Sequence, residues 1–187
     1  EGVDALPEPL DRIEKDVDGE GTDLTSLARR LMSDGVGRGL AIVLVDHPTI
    51  ADSLNAADEA ELDLRPRFKR IMPRNLIGWK ETTNAAGDRE LAEVRIMETR
   101  TESVGQWGQV DVPWVRVIRA PRTVAMQDDS GNVSTADLPG DWELWRFNEA
   151  DGKYLLAEQG PHSYPGIPLV IMQFGEQRGL VECLPPL

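Results

Sequence analysis

The chain has 187 residues and a mass of 20.7 kDa, with 40% hydrophobic and 28% charged residues, which is enough to bury a core and argues against wholesale disorder. Its single cysteine, Cys183, excludes an internal disulfide, and its two histidines, His47 and His162, form no pattern typical of a zinc site. The net charge of −13 at pH 7 repels nucleic-acid phosphates and anionic membranes, so the sequence predicts no specific nucleic-acid binding and no membrane association.

The charge is unevenly distributed along the chain. Residues 1–23 contain nine acidic and two basic residues, a local charge of −7, and residues 1–21 are predicted to be an acidic, solvated lead-in. The segment from Arg65 to Arg74 reverses the sign, with five basic residues and no acidic one. We expect a polar strand face here, neutralised by the acidic residues just upstream. These are Asp58, Glu59, Glu61 and Asp63.

The first predicted elements are an amphipathic helix and a buried strand. Thr22 is the expected N-cap and Asp23 suits the first turn of the helix. Apolar residues then recur at helical spacing, and three glycines are expected to end the helix. The apolar residues are Leu24, Leu27, Ala28 and Leu31, and the glycines are Gly35, Gly37 and Gly39. The continuous apolar run Leu40–Asp46 predicts a strand that is buried on both faces.

Alternating strands dominate the rest of the chain. Residues 49–64 are rich in Ala, Asp and Glu and predict an excursion with a short helix. Downstream, turn residues at 84–88, 128–132 and 148–152 separate half-buried strands. The predicted strands are Arg67–Ile71, Leu76–Thr82, Leu91–Thr101, Val110–Ala120, Trp142–Phe147, Lys153–Ala157 and Leu169–Phe174.

These elements predict an α+β fold. It consists of a mostly antiparallel sheet, one N-terminal amphipathic helix packed on it near Ile42 and Leu44, and a few short helices. Residues 22–187 are expected to form one domain. Because the chain begins with Glu1 and ends in a proline-marked apolar segment, Leu184–Leu187, we expect it to be a piece of a parent protein that continues beyond residue 187.

A search for chemistry predicts no catalytic, cofactor-binding or metal-binding residue. His47 ends a buried strand, His162 lies in a Gly- and Pro-rich loop, and Cys183 has no neighbour in sequence that would activate its thiol. The glycines after the helix follow a helix C-terminus, whose carbonyls repel phosphate. The acidic run Asp16–Gly21 lacks the glutamate that closes a calcium loop.

The tryptophans have two open interpretations. Trp107, Trp114, Trp142 and Trp145 have the flat rings that stack on sugars or bases, but they also suit a core. Trp142 and Trp145 lie three residues apart in one predicted strand and therefore face opposite sides of the sheet. At least one of the two is thus expected to be structural.

The order of four segments resembles the portal-like family of tailed phages and prophages. An aspartate, glycines and a helix come first, followed by a glycine, an apolar strand and Asp-x-Pro; two strand-like segments come later. The segments are Asp18–Arg30, Gly39–Pro48, Arg65–Phe68 leading to Asn75–Lys80, and Gly166–Val170 closing at Leu184–Leu187. Together they span about 170 residues of the chain.

This resemblance implies a structural virion protein rather than an enzyme. Portal proteins form a ring, typically of about twelve copies, through which DNA is packaged and ejected. The chain resembles the outer wing domain of such a subunit, without the stem, clip or crown. The implied partners are neighbouring portal subunits, with capsid and terminase contacted through the parent protein, and the implied location is the virion, or the bacterial host cytoplasm during assembly.

Two other functions remain open from the sequence. One is a hydrolase that acts on a carbohydrate or peptide with paired carboxylates and exposed tryptophans. For this hydrolase we expect carboxylates clustered in a deep cleft beside Trp107 or Trp114, whereas a portal wing needs only a shallow surface. The other is a non-portal adaptor or tail protein of the same virion, which binds only other proteins.

Overall fold

The computed structural model describes residues 8–46, 65–84, 86–127 and 133–174. Two helices, a single 3-10 turn at Pro73–Asn75 and ten strands lie within these residues. The helices and strands are α1 (Glu8–Lys15), α2 (Leu24–Arg38), β1 (Leu40–Asp46), β2 (Arg67–Ile71), β3 (Leu76–Thr83), β4 (Arg89–Val104), β5 (Gly108–Arg119), β6 (Arg122–Gln127), β7 (Val133–Leu138), β8 (Gly140–Asn148), β9 (Lys153–His162) and β10 (Leu169–Gln173).

The predicted α+β class is confirmed. The described strands form three sheets with the orders β10-β1-β2, β3-β4-β5-β8-β9 and β6-β7, and every pairing is antiparallel. Helix α2, which corresponds to the predicted amphipathic helix, contacts β1. The mostly antiparallel sheet with a helix packed on it is therefore present.

The chain divides into two compact units. The first combines residues up to Pro73 with those from Pro168 onward, and the second is Arg74–Ile167. The first contains α1, α2, β1, β2 and β10, and the second contains β3 to β9. All five tryptophans belong to the second unit, whereas both described α-helices belong to the first. Helical circular dichroism therefore reports the first unit, and tryptophan fluorescence reports the second.

Helix α2 begins one residue later than predicted and ends at the last of the three predicted glycines. Asp23 rather than Thr22 is the N-cap, because its extended backbone lets the side chain accept the Ser26 N–H at 2.8 Å. The helix continues to Arg38 and ends at Gly39, whose left-handed φ of 76° suits glycine. The two earlier glycines lie inside the helix, so only the third of the predicted terminators ends it.

The buried face of α2 also differs from the predicted apolar stripe. Leu27 is 6% exposed and Leu31 is half-buried, but Leu24 is 45% exposed, so its predicted packing is wrong. The face continues from Leu27 through Leu31 to Asp34 and Gly35, which is helical spacing. Gly35 is buried there against the ring of Phe174, which follows β10, and a Cβ at this position would collide with that ring.

Strand β1 is buried on both faces, as its sequence predicts. It pairs with β10 on one side and with β2 on the other. Its four residues 41–44 are all buried. The remaining apolar core of this unit includes Val17 and Ile71. Val17 lies in the predicted solvated lead-in, where its carbonyl accepts the N–H of Phe68 at 2.7 Å.

Truncating Leu27 should destabilise the first unit. We expect Leu27→Ala to lower the free energy of unfolding by about 2–5 kcal/mol, because a buried side chain is replaced by a cavity. Urea unfolding followed by circular dichroism at 222 nm reports this unit, since it contains both described α-helices. Leu24→Ala, on the exposed first turn, is the matched control and should change stability by less than about 0.5 kcal/mol. Equal losses for the two variants would contradict this packing.

The five-stranded sheet of the second unit has two chemically different faces. Because side chains alternate along each strand, the register sorts them. One face, named here the Arg119 face, presents Arg119 with Glu93, Val117, Glu143 and Trp145. The other, the Trp114 face, presents a cluster of Val112, Trp114 and Leu144 with Trp142 packed against it. Trp142 and Trp145 therefore lie on opposite faces, as predicted.

The two longest strands extend beyond their neighbours as a hairpin arm. In β4, only residues up to Ile96 pair with β3, and in β5 only residues from Trp114 onward pair with β8. Residues 97–113 therefore form a two-stranded arm, turning at 105–107. Every residue from 103 to 111 is exposed. Strands β4 and β5 continue further toward this turn than predicted, to Val104 and from Gly108 instead of to Thr101 and from Val110.

Several predicted features change position or lie outside the described residues. The turn at 128–132 lies outside them, but β6 and β7 on either side of it pair along their whole length. His162 ends strand β9 rather than lying in a loop. Helix α1 has no counterpart among the predicted elements. His47, the excursion at 49–64 and Cys183 lie outside the described residues.

Candidate functional site

The best-defined cluster of charged groups lies on the Arg119 face and is centred on Arg119 itself. Its guanidinium donates to Glu93 at 3.1 Å, to Asp141 at 2.7 Å, and to both carboxylate oxygens of Glu143 at 2.7 and 3.0 Å. These residues lie on β4, β5 and β8. One arginine thus links three adjacent strands through side chains.

Further donors complete the cluster. Glu93 also accepts from Arg95 at 2.6 Å and lies 3.2 Å from the Lys80 ammonium. The indole N–H of Trp145 donates to Glu143 at 2.8 Å. Arg122 donates to Asp141 at 2.7 Å, so each of the three carboxylates has at least two donors. The charged residues of this cluster, named here the Arg119 cluster, are Lys80, Glu93, Arg95, Arg119, Arg122, Asp141 and Glu143.

The electrostatics keep these carboxylates ionised. Burial would raise the pKa of Glu93, but hydrogen bonds from Arg95, Lys80 and Arg119 outweigh it and hold the pKa below its usual range. The hydrogen bond from Arg119 lowers the pKa of Glu143 in the same way. The pKa of Asp141 is also lowered, because bonds from Arg122 and Arg119 overcome its burial. The same contacts raise the pKa of Arg119, chiefly through Glu143.

A shallow depression opens on this face of the sheet. Its volume is about 350 Å³, which is near the lower end of ligand pockets. Apolar side chains lie between charged ones, and two aromatic rings are included. The lining residues are Lys80, Glu93, Arg95, Val115, Val117, Arg119, Glu143, Trp145 and Tyr154. The depression is open to solvent and mixes apolar contact area with paired charges.

This arrangement suits binding better than acid–base catalysis. A glycosidase needs one carboxyl group whose pKa is raised, so that it can donate a proton near neutral pH. Glu93 and Glu143 have pKa values shifted in the opposite direction, and both are held by Arg119. Their chemistry in this geometry is charge pairing between strands.

The two tryptophans singled out for a hydrolase cleft lie apart from this depression. Trp114 is buried on the opposite face, where its indole N–H donates to Glu102 at 3.1 Å and Arg100 lies over its ring at 4.6 Å. Trp107 is 89% exposed at the tip of the hairpin arm. The carboxylate beside Trp114 is bound by Arg146 at 2.6 Å, and this contact lowers the pKa of Glu102.

Three basic residues of the segment from Arg65 to Arg74 form ion pairs with described acidic residues of the first unit. The pairing expected from the sequence concerns four other acidic residues. Asp58, Glu59, Glu61 and Asp63 lie outside the described residues. Among the described residues, Arg65 donates to Asp16 at 2.7 Å, Lys69 to Asp46 at 2.6 Å, and Arg70 to Asp34 at 2.7 Å. This segment is therefore tied to acidic residues that lie before α2, within α2 and at the end of β1.

The acidic loop considered for calcium has a structural role. Asp16 accepts the backbone N–H groups of Gly19 and Gly21 at 2.8 and 2.9 Å. Asp18 accepts those of Glu20 and Thr22 at 2.9 and 3.1 Å, and the bonds with Thr22 and Glu20 lower its pKa against the opposing effect of burial. The carboxylates thus shape the turn that leads into α2.

Of the two histidines and the cysteine considered for chemistry, His162 lies among the described residues. His162 interacts through Nε2 with the Arg119 carbonyl at 2.9 Å, away from the Arg119 guanidinium contacts. Among the residues that the structure describes, no group of three or more His, Cys, Asp and Glu side chains is placed to hold a metal ion. In the same part of the chain, no helix has the length and apolar character needed to cross a membrane.

In comparisons with known proteins, the chain matches no family model and no curated sequence. No family is identified. The portal resemblance therefore rests on the four sequence segments alone, and the ionic cluster and depression are features of this chain itself.

Proposed function

We propose that this chain is a structural, non-catalytic module that acts as the wing of a phage portal ring. The observation that supports a structural role is the extent of charge pairing across the five-stranded sheet, where carboxylates are used as links between strands. The portal assignment adds the order of the four segments quoted above. Its partners would be neighbouring subunits, with capsid and terminase reached through the parent protein.

The charge pairing occurs on both faces of the sheet. On the Arg119 face, Arg119 links β4, β5 and β8. On the Trp114 face, Arg116 of β5 pairs with Glu98 of β4, and Arg146 of β8 pairs with Glu102 of β4. Single exposed ion pairs contribute only about 0–1 kcal/mol, but connected ones restrain the strands relative to each other. A stiff sheet suits a subunit that transmits load in a ring.

The charge of the chain also suits this role. A net charge of −13 keeps the surface from trapping packaged DNA, because phosphates are repelled over long range. The carboxylates of the Arg119 cluster contribute to that charge without being free for proton transfer, since their pKa values are lowered. This observation favours the structural role over the hydrolase.

Electron microscopy of the complete gene product that contains this sequence tests the proposal. We expect a closed ring, of about twelve copies if the family relation holds. A structural adaptor or tail protein would give another assembly, and turnover of a glycan or peptide substrate would support the hydrolase. Either result would show that the chain is not a portal wing.

A further inference from the structure

Two features of the second unit have complementary chemistry. One is the exposed Trp107 at the tip of the hairpin arm, and the other is the depression on the Arg119 face. Trp107 is the most exposed large hydrophobic side chain described, at 89%, followed by Val36 at 78%. Tryptophan is enriched among the residues that dominate binding energy in protein interfaces.

The tip of the arm is uncharged and carries three exposed apolar side chains. Residues 103–110 contain no Asp, Glu, Lys or Arg, and Val104 and Val110 flank the indole with exposed side chains. Such a tip lacks the basic groups that bind phosphate on nucleic acids or anionic lipids. The net charge of −13 opposes both of those ligands as well. A protein surface with an apolar recess is the partner that this chemistry favours.

The depression is such a recess. Its volume of about 350 Å³ has room for one large side chain, and Val115, Val117, Trp145 and Tyr154 supply apolar and aromatic contacts. Its charged lining contains three basic and two acidic residues, a local excess of positive charge in an acidic chain. Asp111, exposed beside the tip of the arm, has the complementary sign.

Trp107 does not reach the depression of its own copy. Val115 lies eight residues further along the same extended strand, which is a separation of about 26 Å at roughly 3.3 Å per residue. The arm is a paired hairpin over this whole stretch, so it does not fold back on itself. Trp107, named here the knob, and the depression, named here the recess, therefore do not meet within one chain. Each is available to a different molecule.

We propose that Trp107 of one copy inserts into the depression of a second copy. The contact joins two different surfaces of the same protein, so it is head-to-tail and propagates into a ring or an open filament. Its relevance to a portal rests on the proposed function, because a ring needs a head-to-tail contact of this kind. Whether the contact forms can be tested without knowing the function of the assembly.

Two variants that each remove one half of the contact provide the test. Trp107→Ala removes the knob and keeps the recess, whereas Val115→Arg blocks the recess and keeps the knob. Sedimentation velocity over a range of concentrations should show association of the unmodified chain, and about 30-fold weaker association for each variant alone. Tyr154→Ala is a second recess variant in case Val115→Arg disturbs the sheet. Met126→Ala, exposed on β6, is the matched control and should associate normally.

A mixture of the two variants gives the decisive result. When Trp107→Ala and Val115→Arg are combined, the intact knob of one fits the intact recess of the other, so a 1:1 heterodimer should form that grows no further. A monomeric unmodified chain, normal association of Trp107→Ala, or a mixture that stays monomeric would overturn the inference. A closed ring that tolerates Trp107→Ala would leave the portal proposal standing and remove this contact. Open filaments that depend on Trp107 would do the reverse.

Discussion

Replacing Asp34 by alanine should lower the free energy of unfolding of the first unit by about 3–5 kcal/mol. Asp34 is 1% exposed on the inner side of α2, and its carboxylate accepts from Arg70 of β2 and from Arg38 of the same helix. The bond from Arg70 lowers the pKa of Asp34 in spite of its burial, so the group is ionised. Alanine would leave the Arg70 guanidinium without the carboxylate that balances it.

Two further variants separate the ion pair from simple packing. Arg38→Ala should cost less than about 1 kcal/mol, because Arg38 is half-exposed and Arg70 still holds the carboxylate. The double variant Asp34→Leu with Arg70→Met should recover much of the lost stability, since apolar pairs often replace a buried ion pair without loss. Urea unfolding at 222 nm measures all three. If Asp34→Ala unfolds like the unmodified chain, the ion pair does not hold α2 to β2.

Replacing Arg119 by methionine should destabilise the second unit by about 3–5 kcal/mol near neutral pH. The change leaves Glu93, Asp141 and Glu143 close together without the guanidinium that binds all three. Unfolding followed by tryptophan fluorescence reports this unit, since it contains every tryptophan of the chain. Arg89→Met is the matched control, because Arg89 is exposed and lies 4.0 Å from Glu81, and it should change stability by less than about 1 kcal/mol.

The pH dependence gives the Arg119 prediction a second measurement. The folded pKa values of the three carboxylates lie below their unfolded ones, so their stabilising contribution is present above about pH 4 and is lost as the pH falls through the folded values. In Arg119→Met the part of this contribution that Arg119 supplies is missing, which is the main part for Glu143, whereas Arg95, Lys80 and Arg122 still lower the pKa values of Glu93 and Asp141. The difference between the two proteins should therefore be largest near pH 7 and shrink at acidic pH. A difference that is constant with pH would mean that Arg119 acts only through packing.

Local patterns predicted the strands of this chain well. The run Leu40–Asp46 is the strand that its continuous apolar sequence predicts, and Arg67–Ile71 is matched residue for residue. The turn residues at 148–152 connect β8 and β9 as a hairpin. These features depend on side-chain alternation and turn chemistry, which are written in a few neighbouring residues.

The helix boundaries and the charged cluster were less accessible to the same reasoning. Thr22 and Asp23 are both good N-caps, and only the backbone geometry decides between them. Arg119 meets Glu93 and Glu143 because three strands pair in one particular register. Alternating charges such as Glu93 with Arg95 were a visible signal of a polar sheet face, but the partner of each charge depends on contacts between residues far apart in sequence.

The order of β1 and its two partners has a consequence for synthesis. Strand β1 pairs with β2, which follows it closely, and with β10, which follows only after the whole second unit. At about 5–20 residues per second on the ribosome, β1 waits on the order of ten seconds for its second partner. During this interval a strand that is apolar on both faces has one open edge, which is a template for aggregation. We therefore expect a nascent chain of this protein to be most prone to aggregation after β2 has emerged and before β10 has.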